Sequence, residues 1–310
     1  MGKLFNLKNV VSLVGIVLIY AIVQVLILMD IMPKFYGLTL ISICIYIILA
    51  ASLNLINGIT GQFSIGHAGF MAIGAYVSAI FTAKLHLPLL LALLVGALIA
   101  AIAGFLIGLP TLRLNGDYLA IATLGLGEIV RIFFLNMEYV GGAAGLSVPK
   151  HVDWTWAFWA MALSVILIRN FINSTHGRAC ISIRENEIAA EAMGINTTKY
   201  KVMAFTIGAL FAGLAGGLYA NYYYLIQPGT FGFLKSFDIL VMVVLGGLGS
   251  ITGSIVGAIV MTALGAILAS FPDLRMVITA LLLIVMMIFR PAGLLGTKEF
   301  RLNFLGKKGE

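Results

Sequence analysis

Of the chain's 310 residues, 61% are hydrophobic and only 10% are charged, and the mean hydropathy is +1.09. Soluble domains carry about a quarter charged residues, so a water-soluble fold is excluded. The formal net charge of +7 does not mark a nucleic-acid partner, because the basic residues are scattered between apolar runs rather than gathered in a patch.

Apolar runs recur at about the 20 residues a helix needs to cross hydrocarbon, which predicts an all-α polytopic bundle forming a single membrane domain over 1–310. The predicted spans are 10–29, 37–56, 63–82, 88–109, 118–136, 154–171, 202–224, 236–253, 254–270 and 275–290. The first follows Lys3 and Lys8; it is too long for a signal peptide and lacks a small-x-small cleavage site, so it reads as an uncleaved span. With both termini on the cytoplasmic side, 13 of the 19 basic residues fall inside, Lys34, Lys84, Lys150, Lys235 and Arg275 fall outside, and Arg131 lies within a span. This bias obeys the positive-inside rule.

The third span is entered through a polar, glycine-rich segment at 57–74 that contains Gly61, Gln62, Ser64 and His67. A second such stretch late in the chain holds Gly246, Gly247 and Gly249. Broken backbone at membrane depth is tolerated only beside protein or water, so the two stretches point to a translocation pathway. His67 has two readings, a proton or substrate contact and a hydrogen bond to a neighbouring helix.

Small residues repeat every fourth position in three rows: Gly96, Ala100, Gly104 and Gly108; Ala209, Gly213 and Gly217; Gly249, Gly253 and Gly257. Each row is a face on which another helix approaches closely. In the fifth span Glu128 and Arg131, three residues apart, share a helical face and pair most simply with each other. They either line or gate the pathway or lock one helix to its neighbours.

The long cytoplasmic loop 173–201 holds a short helix, with Asn186 as N-cap, Glu187 in the first turn and Gly194 as the stop. Ile188, Ala189, Ala192 and Met193 form an apolar stripe beside Arg184, Glu187 and Glu191. Glu185, Glu187 and Glu191 disfavour an anionic lipid surface, which leaves a soluble protein partner as the better reading. Cys44 and Cys180 have neither a disulfide nor a metal-ligand pattern and read as structural.

Several long motifs occur in one order: Leu53-Asn54-Leu55 leading into Gly61-Gln62-Phe63-Ser64-Ile65-Gly66-His67-Ala68, Gly116-Asp117-Tyr118-Leu119, and Thr123-Leu124-Gly125-Leu126-Gly127-Glu128. Next come Gly141-Gly142, Gly177-Arg178-Ala179, Ile183-Arg184-Glu185-Asn186-Glu187, Ala189-Ala190-Glu191-Ala192-Met193-Gly194, Gly246-Gly247-Leu248-Gly249-Ser250, and Phe289-Arg290-Pro291-Ala292-Gly293. On these the chain resembles the LivM-type permease subunits of bacterial branched-chain amino-acid ABC transporters. Val140, Asn186 and Cys180 depart from the usual pattern.

The resemblance implies a multi-pass subunit of the bacterial inner membrane and a coupling helix at Arg184 to Gly194 that sits on ATP-binding cassette subunits. It also implies a second homologous permease subunit, an extracytoplasmic solute-binding protein and an amino acid as solute, with leucine, isoleucine and valine favoured over other amino acids or urea-like amides. The chain is expected to be no enzyme and to carry neither cofactor nor metal. It has no Gly-x-x-x-x-Gly-Lys-[Ser/Thr] loop, so ATP is expected to be used elsewhere. An ion-coupled transporter is the competing class, but it expects several acidic groups around one mid-membrane cavity and only Glu128 qualifies.

Overall fold

The computed structural model describes residues 7–29, 33–114, 116–290 and 292–296. Lys3, Pro291, Lys298, Arg301, Lys307 and Lys308 lie outside the described residues. In chain order the helices are α1 (Leu7–Leu28), α2 (Lys34–Asn54), α3 (His67–Ala79), α4 (Leu89–Thr111), α5 (Asp117–Asn136), α6 (Trp154–Asn173), α7 (Thr175–Glu185), α8 (Glu187–Ala192), α9 (Thr197–Ala220), α10 (Phe233–Gly246), α11 (Ile251–Ile267) and α12 (Pro272–Phe289). Five-residue π-turns extend α2 through Leu55–Ile59 and α3 through Ile80–Lys84. The two-residue strands β1 (Leu146–Ser147) and β2 (Leu225–Ile226) pair antiparallel.

Helix α9 is the axis of the bundle and packs on α2, α3 and α4. The contacts are close because the facing residues are small. A Cβ at Gly74 would lie 2.0 Å from the carbonyl oxygen of Gly213, and one at Gly216 would lie 1.9 Å from that of Met71. Gly104 and Gly213 are pressed in the same way against the Cβ atoms of Ala209 and Ala100. Lipid tails are as apolar as leucine, so this close van der Waals packing, rather than a hydrophobic gain, holds the helices together. Aromatic contacts fill the remaining space: Tyr76 stacks on Phe134 at 4.2 Å, and Phe70 meets Phe205 edge-on at 5.4 Å.

Among the described residues five stretches are long and apolar enough to cross a membrane: Phe35–Ile59, Leu89–Thr111, Asp117–Asn136, Trp154–Asn173 and Thr197–Ala220. The expected count of ten is not reached on this criterion. Helix α3, with 13 residues before its π-turn, and α10, with 14, are shorter than a plain span.

Three expected boundaries are corrected. The third helix starts at His67 rather than at residue 63, because Asn57 holds Ser64 out of helical pairing: its Oδ1 accepts from the Ser64 amide at 3.2 Å and its Nδ2 donates to the Ser64 carbonyl at 3.1 Å. The eighth ends at Gly246 rather than at 253, since Gly247 and Gly249 turn into left-handed backbone (φ +119° and +90°) and Ser250 caps α11 by accepting from the Gly253 amide. Gly249 therefore lies in the break, and only Gly253 and Gly257 of its expected row are on α11. The loop 173–201 contains α7 as well as the expected short helix, and α9 begins at Thr197, where Asn196 accepts from the Lys199 amide.

Candidate functional site

The two glycine-rich breaks, 190 residues apart in sequence, meet at one end of the bundle, and α7 closes over them. Asn54, at the last turn of α2, accepts from the Gly249 amide at 2.8 Å through Oδ1 and donates to the Ser250 carbonyl at 2.9 Å through Nδ2. One buried amide side chain thus satisfies the Gly249 donor that the α10–α11 break removes from helical pairing, and adds a bond to the Ser250 carbonyl, which also accepts from the Ser254 amide. Gly58 makes the approach possible, since a Cβ there would sit 1.9 Å from Asn54 Oδ1 and 2.3 Å from the Gly249 amide nitrogen.

Arg184, in the last turn of α7, reaches into the same place. Its Nη1 donates to the Gly58 carbonyl at 2.9 Å, and its Nε and Nη2 bond Glu185. Its stem lies against Gly61, where a Cβ would be 2.9 Å from Cγ, and its Nη1 would be 2.8 Å from a Cβ at Gly249. Gly61 has φ +74°, a conformation that also favours glycine.

Helix α8 follows directly. Asn186 caps it by accepting from the Ala189 amide at 3.0 Å, and Gly194 ends the turn at φ +84°, both at the expected positions. Glu187 pairs with Lys201 of α9 at 2.5 Å and fixes α8 to the bundle. The stripe does point outward: Ile188 is 82% exposed, Met193 is 83% exposed, and Ala189, Glu191 and Ala192 are exposed beside them. Cys180 on α7 is fully buried, which pushes its thiol up to about 11 although a bond with Thr60 opposes the shift.

Gly246 and Gly247 have packing partners. A Cβ at Gly246 would lie 2.1 Å from the Gly253 carbonyl oxygen, and one at Gly247 would lie 2.7 Å from that of Gly296. The residues after α12 complete α10, with the Leu294 amide donating to the Leu245 carbonyl and that of Leu295 to the Gly246 carbonyl. Sequence reasoning missed this docking of the C-terminal segment, as it missed Asn54; no spacing signals such long-range bonds.

Between the breaks and the bundle centre runs the unwound segment before α3. The Ile65 amide donates to Thr123 Oγ1 of α5, and the Ala68 amide to Ser236 Oγ of α10. His67 Nε2 meets Ser52 Oγ of α2 at 2.8 Å, a contact between helices, and its Nδ1 has no partner among the described residues. Gln62 is 4% exposed, and neither its side-chain polar atoms nor Ser64 Oγ has a hydrogen-bond partner among the described residues.

Glu128 and Arg131 do not join these groups. Arg131 Nε donates to Glu128 Oε2 at 2.6 Å and the Phe233 amide donates to Glu128 Oε1 at 2.9 Å. The carboxylate therefore serves the N-terminal end of α10, where the helix dipole favours negative charge. The pair borders an open groove of about 420 Å³ that also touches Gly229, Thr230, Lys235 and Asp238.

Close-packed apolar helices, two broken segments meeting at one end, and an exposed apolar helix outside them define a polytopic transport permease. The sequence profile of the family described as branched-chain amino acid transport system, permease component, matches residues 35–287, and the chain belongs to that family. It is 38% identical over 287 residues to the high-affinity branched-chain amino acid transport system permease protein LivM of Escherichia coli (strain K12), covering 81% of this chain and 68% of that one. The LivM protein of Salmonella typhimurium matches at the same identity and coverage. The LivH permease protein of Salmonella typhimurium is 29% identical over 298 residues, covering 86% of this chain and 95% of that one. These relatives are transport permeases, not enzymes. No solved structure matches.

Proposed function

We propose that this chain is one of two permease subunits of an ATP-driven importer for leucine, isoleucine and valine in a bacterial inner membrane. On this reading 1–310 is a single membrane domain with both termini and the 173–201 loop in the cytoplasm, and α8 is the docking helix for a separate ATP-binding cassette subunit. The observation that carries it is the exposure of Ile188 and Met193 on a helix joined through α7 and Arg184 to both glycine breaks. Burying each of those side chains against a partner is worth about 1.5–3 kcal/mol, and a helix so placed passes the partner's movement to the breaks.

The solute passes between this chain and its homologous partner after an extracytoplasmic binding protein delivers it at the end bearing β1 and β2. Gly61, Gln62, Ser64, His67, Gly246, Gly247 and Gly249 form the inner, gating half of the path, and Glu128 and Arg131 belong to its outer half. Buried polar atoms at Gln62, Ser64 and His67 with no partner among the described residues support this assignment, since such groups are otherwise costly at membrane depth.

Purification of the tagged protein in mild detergent tests the class. A stoichiometric ATPase and a second permease in the eluate are expected. Ion-driven accumulation of amino acids by the chain reconstituted alone would overturn the reading.

A further inference from the structure

The segment 60–66, which joins the π-turn of α2 to α3, is held through its backbone. Asn57 bonds both backbone groups of Ser64, the Gln62 amide donates to the Ile56 carbonyl at 3.1 Å, and the Ile65 amide donates to Thr123 Oγ1 at 3.1 Å. Neighbouring elements press on it closely. A Cβ at Gly61 would lie 2.9 Å from Cγ of Arg184, and one at Gly66 would lie 2.1 Å from the Thr123 carbonyl oxygen. Burial alternates along the segment, with Gly61 and Phe63 exposed and Gln62 and Ser64 buried.

The two inward side chains differ from the polar groups around them. Gln62 is almost fully buried and Ser64 wholly so, yet Gln62 Oε1, Gln62 Nε2 and Ser64 Oγ have no partner among the described residues. The buried amides beside them use both of their polar atoms, Asn54 on Gly249 and Ser250 and Asn57 on Ser64. A buried amide without partners destabilises the arrangement that contains it, and an apolar side chain of the same size would remove that penalty. Gln62 is therefore poorly suited to a permanent contact and well suited to a surface that is dry for only part of a cycle. Arg184, whose stem rests on Gly61, acts one residue away, so a displacement of α7 reaches Gln62 directly.

We propose that Gln62 and Ser64 are the polar lining of the inner gate, buried without partners while the gate is closed and hydrogen-bonded once segment 60–66 moves and turns them to the solute path. Their unmet hydrogen bonds keep the closed gate from becoming too stable to open. The inference rests on the importer reading and deepens it by assigning these two side chains to the opening step. Asn57 holds Ser64 through backbone atoms alone, so the Ser64 side chain can be changed without undoing the segment.

The test compares Gln62→Met and Ser64→Ala with wild type in the assembled importer. Both variants should melt a few degrees higher in detergent. In proteoliposomes, leucine transported per ATP hydrolysed should fall about fivefold in Gln62→Met and about twofold in Ser64→Ala. In a background with Cys44 and Cys180 replaced by alanine, maleimide should label Ser64→Cys in nanodiscs slowly at rest and about tenfold faster during turnover with ATP and the loaded binding protein. A melting temperature of Ser64→Ala at or below that of wild type would mean that the hydroxyl is bonded in the closed gate, and overturns the proposal. Transport per ATP in Gln62→Met equal to wild type, or labelling that turnover does not speed, overturns it as well. If Gln62→Met fails to assemble, Ser64→Ala and the labelling decide. A wild-type complex without ATP-dependent transport would instead refute the importer reading, and the melting temperatures would still stand on their own.

Discussion

Arg184 Nη1 donates to the carbonyl oxygen of Gly58 at 2.9 Å, joining the loop helix α7 to the π-turn that ends α2 across 126 positions of sequence. The same guanidinium would be 2.8 Å from a Cβ at Gly249. A displacement of α7 and α8 therefore pulls on both breaks at once. Arg184→Lys keeps the charge but loses the planar fork. In the assembled importer this substitution should lower uptake per ATP hydrolysed by about threefold to tenfold while α8 still holds its ATPase. An unchanged ratio of transport to hydrolysis would leave the contact purely structural.

Because Ile188 and Met193 touch solvent, Ile188→Asp and Met193→Asp should leave the isolated permease as stable as before. Each should weaken ATPase binding by about tenfold to a hundredfold, which corresponds to losing about 1.5–3 kcal/mol of burial. Co-purification at increasing salt and detergent measures it; full retention of the ATPase in the double variant would remove α8 from the interface.

Asn54→Leu leaves the Gly249 amide without its partner, whereas the Ser250 carbonyl keeps the Ser254 amide and hydroxyl as donors. An orphaned buried amide costs about 1–3 kcal/mol, so thermal unfolding in detergent should shift down by several degrees. The effect should exceed that of Ser52→Ala, which cuts a single contact with His67.

Gly74→Leu drives a side chain into the Gly213 carbonyl, which a Cβ alone would approach to 2.0 Å, whereas Gly125→Leu meets open space. The first should cost at least about 1–3 kcal/mol of stability by overpacking, and the second should change little. Size-exclusion profiles after graded heating separate the two.

Cys180 should resist maleimide at pH 8 in the folded protein, because it is buried and its thiol, pushed up to about 11, is almost entirely protonated there. Labelling should become complete in denaturing detergent. Rapid labelling of native protein would mean that α7 opens from the bundle.

Much of the site was legible in one dimension. Asn186 and Gly194 marked the ends of α8 correctly because capping and a left-handed stop are local requirements, met by residue type alone. Glu128 and Arg131 were paired correctly because three-residue spacing brings them together on any helix. What failed was anything that depended on a distant partner. Residues 63–66 read as helix until Asn57 claimed the Ser64 backbone, and 247–250 read as helix until Asn54 satisfied the break. Arg184 and Glu187 were placed only as charges beside the stripe, and their partners Gly58 and Lys201 lie too far along the chain for spacing to name them.

Hydropathy by itself determined that this chain is a helical membrane bundle, since in hydrocarbon each span must satisfy its own backbone and can do so only as a helix. Its motif order was enough to place it among branched-chain amino acid permeases. Only the tertiary structure decided that the two glycine-rich breaks share one end with Arg184, and that the Glu128 pair borders a groove of its own. The reason is physical: a broken helix is stable only where another element supplies the missing hydrogen bonds, and sequence spacing does not say which element comes near.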